Sequence, residues 1–173
     1  MRNIYLIGMP GSGKSLIGQK LSLMLDCKFI DTDDMVSEVY GSSSEEIIIE
    51  DGEQFFRNCE HQILLKLVET EGLIVSTGGG MPVFDDHLSL MKENGMVIYL
   101  RVGVNTLWSR LEKDRTRPLS DTKEKTETLF LQRKELYENA HIIYDVEEDF
   151  RKNIKGIIKR IKTEFPGEIE SLT

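Results

Sequence analysis

The residues best suited to chemistry lie at Gly8-Met9-Pro10-Gly11-Ser12-Gly13-Lys14-Ser15. An apolar run, Ile4 to Ile7, precedes them. A helical pattern with Leu16, Ile17, Leu21, Met24 and Leu25 follows, so the pattern G-x-x-x-x-G-K-[ST] sits at a strand-to-helix turn. Glycines let backbone N–H groups converge on one point, and the helix N-terminus adds partial positive charge. Lys14 is suited to the β- and γ-phosphates of a nucleoside triphosphate, and the Ser15 hydroxyl to Mg²⁺. Gly11, Ser12, Gly13, Lys14, Ser15 and Leu16 are expected to line the nucleotide. The motif implies a phosphate donor and leaves the acceptor open.

Other candidates recur at the ends of apolar runs. Asp31-Thr32-Asp33-Asp34 follows the short strand Lys28-Phe29-Ile30. Two readings stand: the acids cap a helix from Met35 to Tyr40, or Asp31 and Asp33 face a ligand at the carboxyl end of a strand. In the second, alternation points both acids the same way; one orients Mg²⁺ and the other accepts a hydrogen bond from a substrate hydroxyl. Arg57 and Glu60 share a helix face with His61. That pair is either an exposed pair worth tenths of a kcal/mol or, beside Phe55-Phe56, a partly enclosed guanidinium. Gly78-Gly79-Gly80 ends the run Leu73 to Ser76, and three glycines are entropically expensive for a mere turn. No aspartate ends that strand, so Asp31 is the candidate to support Mg²⁺. Arg110, Arg115 and Arg117 offer charge to a triphosphate.

The elements that must position these groups follow from periodicity. Helices are expected from Lys14 to about Leu25, from a Ser44 cap through Ile47-Ile48-Ile49, from Glu53 to about Glu71, and from Asp85 to Asn94. Further helices are expected from Val104 to Leu111 with a cap at Asn105, from Glu127 to Asn139, and from Phe150 to about Phe165. Met96 to Leu100 and Ile142 to Tyr144 read as further strands. Residues 112 to 125 are polar and lack periodicity, which suggests a lid or binding loop. The chain of 173 residues suggests one domain over 1–173, and 39% hydrophobic residues suffice for a core. A net charge of −8 argues against nucleic acid as partner. No run is long enough to span a membrane, no export signal is expected at Met1-Arg2-Asn3, and Cys27 and Cys59 are expected as reduced thiols in or near the core of a cytoplasmic protein. His61, His87 and His141 share no metal-like spacing and read as surface or helix-end residues.

Taken together, the Gly8–Ser15 loop, Asp31-Thr32-Asp33, Arg57-x-x-Glu60, Gly78-Gly79-Gly80, and Arg117-Pro118 with Arg133-x-x-Leu136-Tyr137 resemble the shikimate kinase family. The resemblance runs from the first strand to about Asp145. It implies an α/β, three-layer αβα P-loop kinase fold with a five-stranded parallel sheet, a helical substrate-binding region at about 32–62 and a lid at about 112–125. It also implies transfer of the ATP γ-phosphate to the 3-hydroxyl of shikimate, with Mg²⁺, by a monomer on the route to chorismate and aromatic amino acids. On that resemblance Asp33 holds the substrate hydroxyls and acts as base, and Asp31 stands behind Mg²⁺. Arg57 and Arg133 grip the shikimate carboxylate, with Glu60 orienting the substrate arginine. Gly79 contacts substrate through its backbone, flanked by Gly78 and Gly80. Arg117 covers the phosphates and Arg110 packs on adenine. Met81-Pro82 and Ser120 depart from the family's usual residues, and the loop from Val146 to Lys152 is too divergent to carry adenine contacts over.

Two rival readings remain. A related kinase for gluconate or a nucleoside monophosphate shares the loop and lid, but not Asp31-Thr32-Asp33 with Arg57 and the three glycines as a set. A non-catalytic ATP-binding module would be signalled by loss of Lys14, Ser15 or Asp33, and all three are present.

Overall fold

Five short apolar segments pair in parallel into one sheet: β1 (Asn3–Ile7), β2 (Lys28–Asp31), β3 (Leu73–Ser76), β4 (Gly95–Arg101) and β5 (Ile142–Asp145), in the order β2-β3-β1-β4-β5. The computed structural model describes residues 1–113 and 122–169. Alternation along each strand divides the core in two. Ile4, Leu6, Ile74, Met96, Ile98 and Leu100 face α1 (Lys14–Leu25) and α8 (Phe150–Glu164), where Ile17, Leu21, Ile154, Ile157 and Ile161 complete the layer. Tyr5, Ile7, Val75, Val97 and Tyr99 face the other way. That second layer is built from α2 (Thr32–Tyr40), α3 (Ser44–Glu50), α4 (Glu53–Val68), α5 (His87–Asn94), α6 (Val104–Lys113) and α7 (Lys123–Tyr137), with a 3₁₀ turn at Met81–Val83. The three-layer αβα arrangement is the one expected.

Register places the candidate residues on one edge. Asp31 lies opposite Ser76, and Ser76 opposite Leu6. The carboxyl ends of β2, β3 and β1 therefore finish side by side, just where the chain enters the glycine loop. This is the end of an open α/β sheet at which ligands bind, because β1 is flanked by β3 on one side and β4 on the other.

Several boundaries differ from the sequence reading, each for a local reason. Helix α2 begins at Thr32 rather than Met35, because the Asp31 carboxylate accepts the Asp33 N–H at 3.1 Å and caps it there. Asp33 is thus a first-turn helical residue, and strand alternation cannot be what orients it. Ser43, not Ser44, caps α3, in a reciprocal capping box with Glu46. Helix α4 stops at Val68. Helix α5 starts only at His87, because the turn with Pro82 and a left-handed Asp85 (φ 48°) occupies the preceding residues. Asn105 is the second residue of α6 and not its cap. Glu112 and Lys113 close α6, and Thr122 caps α7, which starts at Lys123, so the ends of the expected lid segment are helical. Its middle, with Arg115, Arg117, Pro118 and Ser120, lies outside the described residues.

One buried polar side chain ties these parts together. The Asn3 amide donates to the carbonyls of Leu67 (2.9 Å) and Thr70 (2.8 Å) and accepts the Leu73 N–H (3.0 Å). It so joins the start of β1, the end of α4 and the start of β3. Asn3→Ala removes the side-chain partner of the part-buried Thr70 carbonyl and Leu73 N–H, while the Leu67 carbonyl keeps the Thr70 N–H and hydroxyl, and should destabilise the chain by about 1–3 kcal/mol. Urea denaturation checks this; a midpoint equal to wild type would show that water replaces the amide without loss.

Candidate active site

The glycine loop packs against the carboxyl end of the sheet. Gly13 holds a left-handed conformation (φ 93°) at the N-cap of α1, which turns the chain into that helix at Lys14. Lys14 is largely buried, and its Nζ donates to the carbonyls of Gly8 (2.9 Å) and Met9 (3.0 Å). Ser15 Oγ donates to Asp31 Oδ2 at 2.6 Å and lies 3.2 Å from Ser76 Oγ. Ser12 turns its side chain inward, fully buried, and its N–H bonds the Met9 carbonyl at 3.1 Å, so it stiffens the loop from below. Leu16 is 60% exposed and belongs to the cavity rim, not the core. Arg110 donates to the Gly11 carbonyl at 3.1 Å, which ties α6 to the loop.

A cavity of about 330 Å³ opens above this loop. Pro10, Gly11, Gly13, Lys14 and Ser15 form one wall, and Asp31, Asp33, Ser76, Thr77 and Gly79 the other. Among the described residues no three histidine, cysteine or carboxylate groups converge on one point. The hard oxygens of Ser15 and Asp31 suit Mg²⁺, which keeps several waters and takes its remaining ligands from substrate phosphates.

The three glycines have a reason that the sequence alone does not disclose. A Cβ on Gly78 would stand 2.7 Å from Asp33 Oδ1 and 3.1 Å from Glu60 Oε1, and one on Gly79 3.1 Å from Arg133 Nη1. A side chain on Gly80 would overlap the Arg57 guanidinium. None of the three has a positive φ, so what is needed is room for four charged side chains. Thr32, which the sequence reading passed over, holds this strip: its buried Oγ1 accepts the Gly78 N–H at 2.8 Å. Tyr137 does the same from α7, donating its hydroxyl to the Gly79 carbonyl at 2.6 Å. The spacing Arg133-x-x-x-Tyr137 carried that signal.

Arg57 and Glu60 form an enclosed pair. Glu60 Oε2 accepts from Arg57 Nη1 at 2.6 Å, with the Glu60 side chain 1% and the Arg57 side chain 15% exposed. Burial pushes the Glu60 carboxyl up and the Arg57 guanidinium pulls it back, while nearby Asp33 adds to the rise. Burial alone would lower Arg57, but Glu60 and Glu53 outweigh it and hold the guanidinium above its ordinary value. Arg57 and Arg133 therefore approach one glycine strip from α4 and α7, with Asp33 beside Gly78 and Pro10 of the phosphate loop beside Gly79. Two converging guanidiniums are suited to a carboxylate, and the neighbouring Asp33 to a hydroxyl.

A family model for shikimate kinases matches residues 10–162. A shikimate kinase of Sulfurihydrogenibium sp. is 39% identical over 166 residues, covering 95% of this chain and 98% of the relative. The structure of the Acinetobacter baumannii shikimate kinase in complex with shikimate superposes with a TM-score of 0.89 at 29% identity, covering 96% of each chain. The Aquifex aeolicus shikimate kinase superposes with a TM-score of 0.85 at 31% identity, over 95% of this chain and 99% of that one.

Among the described residues, removing the Glu60 carboxylate leaves the enclosed Arg57 guanidinium with the exposed Glu53 as its ion-pair partner. Glu60→Ala should therefore destabilise the chain by about 2–4 kcal/mol, measured by chemical denaturation. A loss below about 0.5 kcal/mol would return the pair to the class of exposed helix pairs.

Proposed function

The chain belongs to the shikimate kinase family, and on that premise we propose that it transfers the γ-phosphoryl group of ATP to the 3-hydroxyl of shikimate. The observation that carries this reading is that Lys14 and Ser15 share one cavity with Asp33 and Gly79. Donor and acceptor chemistry thus meet within a single enclosure. Phosphoryl transfer asks mainly for positioning and for charge stabilisation of the transferring group.

In this reading Arg57, oriented by Glu60, and Arg133 hold the shikimate carboxylate. Asp33 accepts the hydrogen bond of the reacting hydroxyl and takes its proton as the phosphoryl group arrives. Gly78, Gly79 and Gly80 let the acceptor ring approach the backbone. Lys14 exchanges the Gly8 and Met9 carbonyls for phosphate oxygens, and Gly11, Ser12, Gly13 and Leu16 shape the bed in which the triphosphate lies. Ser15 and Asp31 would hold Mg²⁺, which when bound neutralises charge between the β- and γ-phosphates. Arg110, already beside the loop, packs on adenine. Arg117 covers the phosphates; it lies outside the described residues, and its role rests on the sequence motif. The segment 112–125 acts as the lid of a single domain that excludes water during transfer. We place this activity in a cytoplasmic monomer, on the route to chorismate, whose partners are small molecules; the acidic net charge of −8 and the free thiols of Cys27 and Cys59 support that placement.

The deciding experiment is ADP release from ATP and Mg²⁺ with shikimate, gluconate or AMP as acceptor. Stimulation by shikimate alone is expected. Stimulation by gluconate or AMP instead would keep the kinase and replace the acceptor, and ATP binding without any stimulation would favour a binding module. Asp33→Asn should lower kcat by about 10²–10⁴-fold with an unchanged circular dichroism spectrum. Loss of the helical spectrum would make Asp33 a structural residue of α2 instead.

A further inference from the structure

Two histidines form a hydrogen-bonded pair that ends on the backbone of Met81, the residue that follows the glycine strip. His87 is 1% exposed. Its Nδ1 lies 2.9 Å from the Met81 carbonyl, and its Nε2 lies 2.9 Å from His61 Nδ1. The two rings stack at 5.1 Å between centroids, and Phe84 meets His87 edge-on at 5.3 Å. A carbonyl can only accept, so His87 Nδ1 carries the hydrogen. Nε2 of the neutral ring is then the acceptor, and His61 Nδ1 must donate to it. Burial, with His61 and Arg57 nearby, lowers the His87 imidazole toward this neutral form against the opposing effect of the Met81 carbonyl and Asp85. The other groups around the pair are acidic: Asp85 and Asp86 in the turn and Glu93 on α5, around a cavity of about 440 Å³ open to solvent.

Met81 follows Gly80 directly and is fully buried. Its N–H returns to the Gly78 carbonyl at 3.1 Å, and the Val83 N–H to that of Gly80 at 3.1 Å. The Met81 carbonyl that His87 engages is therefore part of the turn that sets the path of Gly78 to Gly80. Helix α4 grips this turn twice. Arg57 lies against Gly80, and His61, four residues on, reaches the Met81 carbonyl through His87.

We propose that His87, supported by His61, is a positioning residue for the acceptor site: it fixes the turn at Met81 so that Gly80 and Arg57 keep the spacing that a carboxylate needs. This rests on the functional reading above. His87 does not line the cavity of Lys14, Asp33 and Gly79 and acts only through the turn beside Gly80, so its effect falls on the acceptor's KM and not on ATP's.

His87→Ala should raise the shikimate KM roughly tenfold, the scale of one buried hydrogen bond, with the ATP KM and kcat within about twofold. His87→Asn places an amide N–H where Nδ1 was and should recover most of that loss. His61→Leu, which keeps His87 but removes its donor, should raise the shikimate KM about threefold. Imidazole ¹⁵N NMR of wild type should find His87 neutral with its hydrogen on Nδ1. An unchanged shikimate KM in His87→Ala, equal rises in both KM values, no recovery in His87→Asn, or a hydrogen on Nε2 each overturns the proposal. If His87→Ala does not fold, a flat response in His61→Leu overturns it as well. Absence of shikimate-dependent turnover in wild type overturns the functional reading itself, whereas a flat ratio of variant to wild type overturns only the role of His87.

Discussion

Four charged side chains need to occupy one small volume beside this cavity, and three consecutive residues without side chains make that volume. Asp33 and Glu60 press on Gly78, Arg133 on Gly79 and Arg57 on Gly80. Opposite charges drawn this close are strongly coupled in a partly dry site, and each is stable there because the others are present. The glycine strip in turn is not left to its own flexibility. Thr32 holds it at Gly78, Tyr137 at Gly79, and the 3₁₀ turn at Met81 closes its far end. A segment rich in glycine is thus pinned by side chains from α2, α7 and α5, which lets a backbone with little intrinsic order serve as a rigid wall.

The phosphate side works by a different principle. Its charges are few, and the backbone does most of the shaping. Lys14 rests on the Gly8 and Met9 carbonyls, and Ser15 on Asp31. These internal bonds satisfy groups that a triphosphate would otherwise satisfy, so the loop holds a defined form in advance of its ligand. Arg110 on the Gly11 carbonyl links that form to α6, whose last residues lead toward the segment of Arg115 and Arg117.

Much of this was legible in the chain itself. The five strands and the order of helices follow from apolar runs and their periods, because a doubly covered parallel sheet needs near-continuous apolar strands. The loop at Gly8–Ser15 is a local motif, and local motifs survive folding unchanged. What the sequence concealed depends on contacts between distant segments. Asp33 reaches the cavity from a helix whose start is set by the Asp31 cap, so strand alternation is not what brings it there. Ser43 outcompeted Ser44 as a cap because only it can pair reciprocally with Glu46. Arg57 and Glu60 could have been an exposed pair; their burial arises from packing of α4 against the turn at Met81. His87 read as a surface or helix-end residue and is indeed the first residue of α5, yet it is buried, and its partnership with His61, 26 positions earlier, leaves no trace in spacing.

The strand order has a consequence for how the chain reaches this state. The first strand pairs with β3 and β4 and never with β2, its neighbour in sequence. Asn3 likewise waits for partners 64 and 67 residues away. During synthesis, then, the Gly8–Ser15 segment precedes β3, and the strand before it has no neighbour to pair with until residues 73–76 have left the ribosome. Pairing of this kind carries a high contact order and slows folding, and it leaves an apolar strand unpaired in the interval. The Gly8–Ser15 loop is therefore made well before the strand that completes its base.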